Sequence, residues 1–225
     1  QSRMWMTKFD KYQGLFAEQG DFDIPENYGI GIAIKPVKNL VIAADVLRIN
    51  YSDVASVGNR GMTTKQLLDF LGVTGVPSIL DPTKELGNDQ GMGFGWKDMT
   101  VYKLGVQYGV NNRLQVRAGY NYGKSPISDN QVTFNTLAPA TVEKHYTVGF
   151  TYKANENLEV TGTYLYAAPH NQSACSQNFL NCVQIGMHQN MFAMSLGWVL
   201  DPGPHTAEEY GDSDWAGINF DGWYA

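Results

Sequence analysis

No apolar run in this chain approaches the 18 residues that mark a membrane-crossing helix. That absence excludes a helical membrane protein and nothing more. A membrane strand takes about 9–11 residues and hides its apolar half by alternation. Charge is also sparse: Asp, Glu, Lys and Arg make up 17% of the 225 residues, and bases do not exceed acids. Nucleic-acid binding wants a clustered basic face, and the sequence offers none. The net charge of −6 has a local source. From Asp201 onward stand six acids with no Lys or Arg, while the preceding 200 residues hold 16 of each sign. Residues 201–225 read as a solvated acidic tail.

Chemistry-bearing motifs are equally thin. The only two cysteines, Cys175 and Cys182, flank "CSQNFLNC". A local disulfide between them fits an oxidising compartment, with two free thiols as the alternative. Closing so short a loop would stabilise by roughly 2.5 kcal/mol in the chain-entropy model. No second Cys pair or His pair stands at ligand spacing, so no metal site is expected. The four histidines, His145, His170, His188 and His205, are scattered. His188 with Ser195 lacks an acid partner for a hydrolase triad. "GIGIA" leads into no helix and is not a phosphate loop, and "DPTKELGNDQG" lacks the calcium-loop pattern. Neither an enzyme nor a cofactor is expected.

What the chain does have is alternation with a period of two, the strongest strand signal in a sequence. Tyr28, Ile30, Ile32 and Ile34 alternate with Gly29, Gly31, Ala33 and Lys35; "VKN" turns the chain, and Leu40–Tyr51 returns. Tyr102, Leu104, Val106 and Tyr108 alternate with Lys103, Gly105 and Gln107; "NNR" turns into Leu114, Val116, Ala118, Tyr120 and Tyr122. Tyr146–Lys153, a "NEN" turn and Leu158–Tyr166 repeat the scheme, and Phe192–Leu200 closes it. A weaker strand lies near Arg3–Phe9. The expectation is an all-β, antiparallel up-and-down barrel of about eight strands. Turns of about three residues (37–39, 111–113, 155–157) take turns with long loops (10–27, 52–98, 125–143, 169–188). Short turns at one end and long loops at the other is the outer-membrane layout. The apolar sets also carry tyrosine towards their ends, as interfacial girdles do. On this reading the oily face looks outward into lipid and Lys35, Asp45, Lys103, Gln107, Arg117 and Glu159 look inward.

Three stretches then carry a resemblance: "GDFDIPENYGIGIAIKP", "FGWKDMTVYKLGVQYGVNNRLQVRAGYNYGKSPI" and "APATVEKHYTVGFTYKANENLEVTGTYLY". With Ile24-Pro25-Glu26 before a strand, Trp96-Lys97-Asp98 at a strand start, and Arg117-Ala118-Gly119 followed by Ser125-Pro126, roughly residues 2–200 resemble the C-terminal half of the FadL-type outer-membrane transporters of Gram-negative bacteria. The resemblance implies uptake of hydrophobic compounds, long-chain fatty acids or aromatic hydrocarbons, by a 14-stranded barrel plugged by an N-terminal hatch. Residues 1–200 would then be its last eight strands, with a periplasmic tail over 201–225. Outer-membrane lipids surround such a barrel, and a monomer is expected.

Candidate ligand contacts follow. "TTKQLLDFLG" reads as a short helix capped by Thr63 or Thr64 and ended by Gly72. Leu67, Leu68, Phe70 and Leu71 make it oily, with Ile79, Leu80 and Phe94 nearby in the same long loop. Such a helix either offers a landing groove for a hydrophobic ligand or packs on the barrel rim. Inside, Lys103 or Arg117 would pair with a fatty-acid carboxylate, unless the inward charges satisfy one another. The stretch before Lys97-Asp98, "NDQGMGFGW", holds no base, where the family resemblance implies one beside the ligand head group. Passive transport of hydrophobic compounds, captured on surface loops and passed through the lumen, is the leading expectation. A general porin or structural barrel is the alternative; a soluble lipid-binding β-barrel is a third.

Overall fold

A computed structural model of the protein describes residues 23–61, 87–89, 91–175 and 182–198. Seven strands are described: β1 (Asn27–Val37), β2 (Leu40–Ile49), β3 (Met99–Gly109), β4 (Leu114–Gly123), β5 (Lys144–Lys153), β6 (Leu158–Cys175) and β7 (Cys182–Trp198). They form one sheet in chain order, every neighbour antiparallel. Among the described residues the sheet does not close, so β1 and β7 are its edges. The expected eighth strand near Arg3–Phe9, the helix over 63–72 and the tail 201–225 lie outside the described residues.

Each short turn has its own asparagine. Asn39 Nδ2 donates to the Gly109 carbonyl at 3.2 Å. Asn111 Oδ1 accepts from the backbone N–H of Arg113 and Leu114, at 2.8 and 2.9 Å. Asn155 Oδ1 accepts from the N–H of Asn157 at 2.9 Å. The Asn111 and Asn155 bonds are local and replace ladder bonds where the chain reverses, whereas Asn39 ties its turn to the end of β3. Proline sits where the register slips: the shifts in β1 and β6 span Ile34–Val37, which holds Pro36, and Ala167–His170, which holds Pro169. Proline has no N–H to give the ladder, so a bulge absorbs it.

The two faces differ as alternation predicts. On β3, Tyr102, Leu104, Val106 and Tyr108 are exposed while Lys103, Gly105 and Gln107 are half-buried. On β5, Tyr146, Val148, Phe150 and Tyr152 are exposed while Thr151 is buried. An apolar face that stays uncovered across five adjacent strands is a face for lipid. Its tyrosines meet across strands: Tyr120 with Tyr146 at 5.2 Å between ring centres, and Tyr146 with Tyr166 at 6.4 Å.

One expectation is corrected. A long loop was expected over 169–188, yet β6 runs on to Cys175 and β7 starts at Cys182, paired from His170–Met187 up to Cys175–Cys182. The apolar alternation stops near Tyr166, but the ladder does not. The reason is that the extension leaves the apolar layer: one side packs on neighbouring loops and the other meets water, so neither side demands a run of apolar residues. Cys182 is disulfide-bonded, and among the described residues no cysteine is free.

Candidate functional site

The inward strip comes first. Asp45 stands opposite Lys103 across the β2–β3 ladder. Gln107 stands opposite Arg117 on β3 and β4. The Arg117 guanidinium spreads over three side chains: Nε donates to Gln107 Oε1 at 2.9 Å, Nη1 to Thr151 Oγ1 at 2.8 Å, and Nη2 to Gln115 Oε1. Thr151 in turn bonds Thr161 at 3.0 Å. Glu159 and Arg117 attract across the same strip, as do Asp45 and Lys103. Alternation alone builds this arrangement, because polar positions on five adjacent strands fall on one face.

Above the strands at the loop end sits an ordered cap, made from 51–61, 93–98 and 125–142. Its first two pieces pair through the backbone: Phe94 N–H donates to Ser56, Gly95 N–H to Asn59 at 2.7 Å, and Trp96 N–H to Val57 at 3.0 Å. Glycine is required here. Gly95 has φ +67°, and a Cβ on Gly93 would lie 2.5 Å from the Ala55 carbonyl oxygen. The third piece locks on through Asn135, which is fully buried. Its Oδ1 accepts from Trp96 Nε1 at 2.6 Å, and its Nδ2 donates to the carbonyls of Phe94 and Gln131, at 2.7 and 2.9 Å. Gln131 Oε1 accepts from Gly61 N–H at 2.7 Å. Around these bonds Phe94 packs on Phe134 and Trp96, and Tyr51 meets Trp96 edge-on at 5.1 Å. Burial pushes the Tyr51 hydroxyl pKa up. The chain's apolar core lies here and along the adjoining strand extensions, with Ile127, Val132 and Ile185 at one centre and Val142, Leu165 and Ala167 at another.

Where the cap meets β2 and β3, a cleft of about 700 Å³ opens, lined by Arg48, Ser52, Arg60, Trp96, Lys97, Asp98, Asn130 and Gln131 among others. Arg48 Nη2 and Asp98 Oδ2 form an ion pair at 2.8 Å, and Arg48 Nη1 donates to Thr100 Oγ1. Ser52 donates to Asp98 Oδ1 from its hydroxyl at 2.7 Å and its N–H at 3.0 Å. These two bonds are the main cause that holds the Asp98 carboxyl below its usual range; burial opposes them, and the Arg48 charge adds a smaller pull in the same direction as the bonds.

The family model for "Outer membrane protein transport protein (OMPP1/FadL/TodX)" matches residues 14–193. The chain belongs to this family. It is therefore an outer-membrane protein of a transport family and not an enzyme. The fold agrees with a solved structure titled "TodX deltaS2S3 mutant monoaromatic hydrocarbon channel": TM-score 0.51, 19% identity, covering 79% of this chain and 35% of that one. A second, titled "TodX monoaromatic hydrocarbon channel deltaS2 mutant", gives TM-score 0.48 and 18% identity over 80% of this chain and 35% of that one. The chain thus spans about a third of the length of the solved channels it matches. No curated protein matches it.

Of the site residues expected in this family member, Leu67, Leu68, Phe70, Leu71, Ile79 and Leu80 lie outside the described residues. Phe94 is a packing residue of the cap and Lys103 and Arg117 stand on the inward strip, so the structure does not bring these three together. Asn135, Gln131, Ser52 and Arg48 were not singled out from sequence. Their partners lie far along the chain: 39 residues separate Asn135 from Trp96 and 46 separate Ser52 from Asp98. Only Trp96-Lys97-Asp98 flagged the place.

Proposed function

We propose that the chain is part of an outer-membrane channel for neutral hydrophobic molecules. Family membership supports the channel, and the state of the inward bases supports the neutral cargo. Arg117 already donates from all three of its nitrogens to Gln107, Gln115 and Thr151, and Lys103 and Lys35 also have partners. A carboxylate entering the strip would have to displace those bonds, each worth about 1 kcal/mol or more when charge-assisted. A neutral ring or alkyl chain makes no such demand. It needs only a passage that spares it from bulk water, which a water-filled pore does not supply. Capture would fall to the apolar run Leu67, Leu68, Phe70 and Leu71. Aromatic hydrocarbons fit this reading, as the solved relatives' titles describe them as monoaromatic hydrocarbon channels.

The test is uptake by cells that carry or lack the full-length protein, with toluene and oleate as paired substrates. Toluene entry should depend on the protein, oleate entry should not, and Arg117→Gln should leave toluene entry nearly unchanged. Protein-dependent oleate entry that Arg117→Gln abolishes would overturn the neutral assignment in favour of a fatty-acid channel.

A further inference from the structure

The strand wall of the cleft is not part of the lumen strip. Arg48 shares its side of the sheet with its ladder partners Tyr28 and Thr100, and Thr100 precedes Tyr102 on the outward, lipid-facing set. Asp98 reaches the same Arg48, so the cleft's strand wall belongs to the outward face. Its height is also set. Arg48 is level with exposed Tyr28 and lies two residues, about 7 Å, beyond the Val46–Tyr102 pair, so it stands at the upper edge of the exposed tyrosines. Interfacial tyrosines mark the depth where head groups begin, so the cleft opens among the head groups.

Its charge is positive. Arg48, Arg60 and Lys97 line it against one acid, Asp98. Arg48 is committed to Asp98, Thr100 and Asn50, which makes it part of the wall. Arg60 and Lys97 are both exposed, and among the described residues neither enters an ion pair. Asn130 adds an exposed amide to the lining. Lys144 continues the basic rim on the same face, opposite Tyr122. Directly below run Ile30, Ile32, Val46 and Leu104, all exposed and apolar. A fixed anion above an acyl chain matches that vertical order, and a free ion uses only its top half.

We propose that this outward cleft binds the phosphate of an outer-leaflet glycolipid, with Arg60 and Lys97 as the contacts to the phosphate. A guanidinium and an ammonium are the standard donors for that group. The acyl chains lie against the apolar strip beneath. The inference rests on the outward sense of the strand wall and stands apart from the reading of the cargo.

The test uses the full-length protein in detergent micelles, with bis-phosphorylated lipid A, the same glycolipid stripped of phosphate, and inorganic phosphate as competitor. Native mass spectrometry reads the bound fraction. The phosphorylated lipid should bind about tenfold tighter or better than the stripped one, as expected for two charge-assisted contacts. The double variant Arg60→Gln, Lys97→Gln should erase that preference while keeping the heat-resistant folded band on a gel. Millimolar inorganic phosphate should not displace the lipid. Equal binding of the two lipids by the unaltered protein would sink the proposal, and that comparison needs no variant. So would an unchanged preference in the folded double variant, or displacement by inorganic phosphate.

Discussion

The sheet and the cap are two answers to two solvents. In the sheet, apolar side chains face out and polar ones face in, and only a few scattered side chains are buried. In the cap and the strand extensions, apolar side chains gather inward around Ile127, Val132 and Val142, as in any water-soluble protein. The border between the two regimes runs along the tyrosines and the Arg48–Asp98 clasp. One chain obeys both rules because hydrophobic burial is defined by the medium on the other side.

The largest effect expected from breaking this contrast is on the outward face of β3. Val106→Arg places a charge in the lipid layer and should cost about 2–4 kcal/mol, whereas Gln107→Ala one residue along should cost about 1 kcal/mol or less. Urea unfolding of the full-length protein in lipid vesicles measures both, and a larger cost for Gln107→Ala would reverse the assignment of faces. Next comes the cap. Asn135→Ala leaves the Trp96 indole N–H and two buried carbonyls without their partner, a loss of about 2 kcal/mol or more. Limited proteolysis should then cut the 125–142 segment faster, while the unfolding midpoint of the strands barely moves. A matching shift of the midpoint would mean that cap and sheet unfold as one unit.

The smallest effect sits at the border. Asp98 has a lower carboxyl pKa folded than unfolded, so its stabilisation is fully present above the unfolded value of about 3.9 and is lost as pH falls through the folded value. Acid below about pH 4 should therefore loosen the clasp. Because the pair is partly open to water, the size is under about 1 kcal/mol. Asp98→Asn should flatten the pH dependence of cap proteolysis in that window; an unchanged acid profile would remove Asp98 from the account.

Most of the sheet was legible because a strand in lipid writes its orientation into every second residue. The turns at "NNR" and "NEN" were legible for a local reason: asparagine closes them onto neighbouring backbone. The long hairpin of β6 and β7 was not. Beyond Tyr166 the strands leave lipid, Pro169 interrupts the register, and residues such as His170, Asn171 and Gln172 pair in a ladder that imposes no apolar period. The cap was least legible. "GMGFGW" looked like a glycine-rich approach to a strand, and its purpose depends on Asn59 and Asn135 arriving from either side.

Sequence by itself determined the solvent, the family and the sense of each face, because those follow from periodicity and local turn chemistry. It also supplied Lys103 and Arg117 as the inward bases. Only the tertiary structure decided that Arg117 is already occupied, that Asn135 holds the cap together, and that Arg48 and Asp98 join 50 residues apart. Those are contacts between distant segments, and no period along the chain encodes which segments will meet.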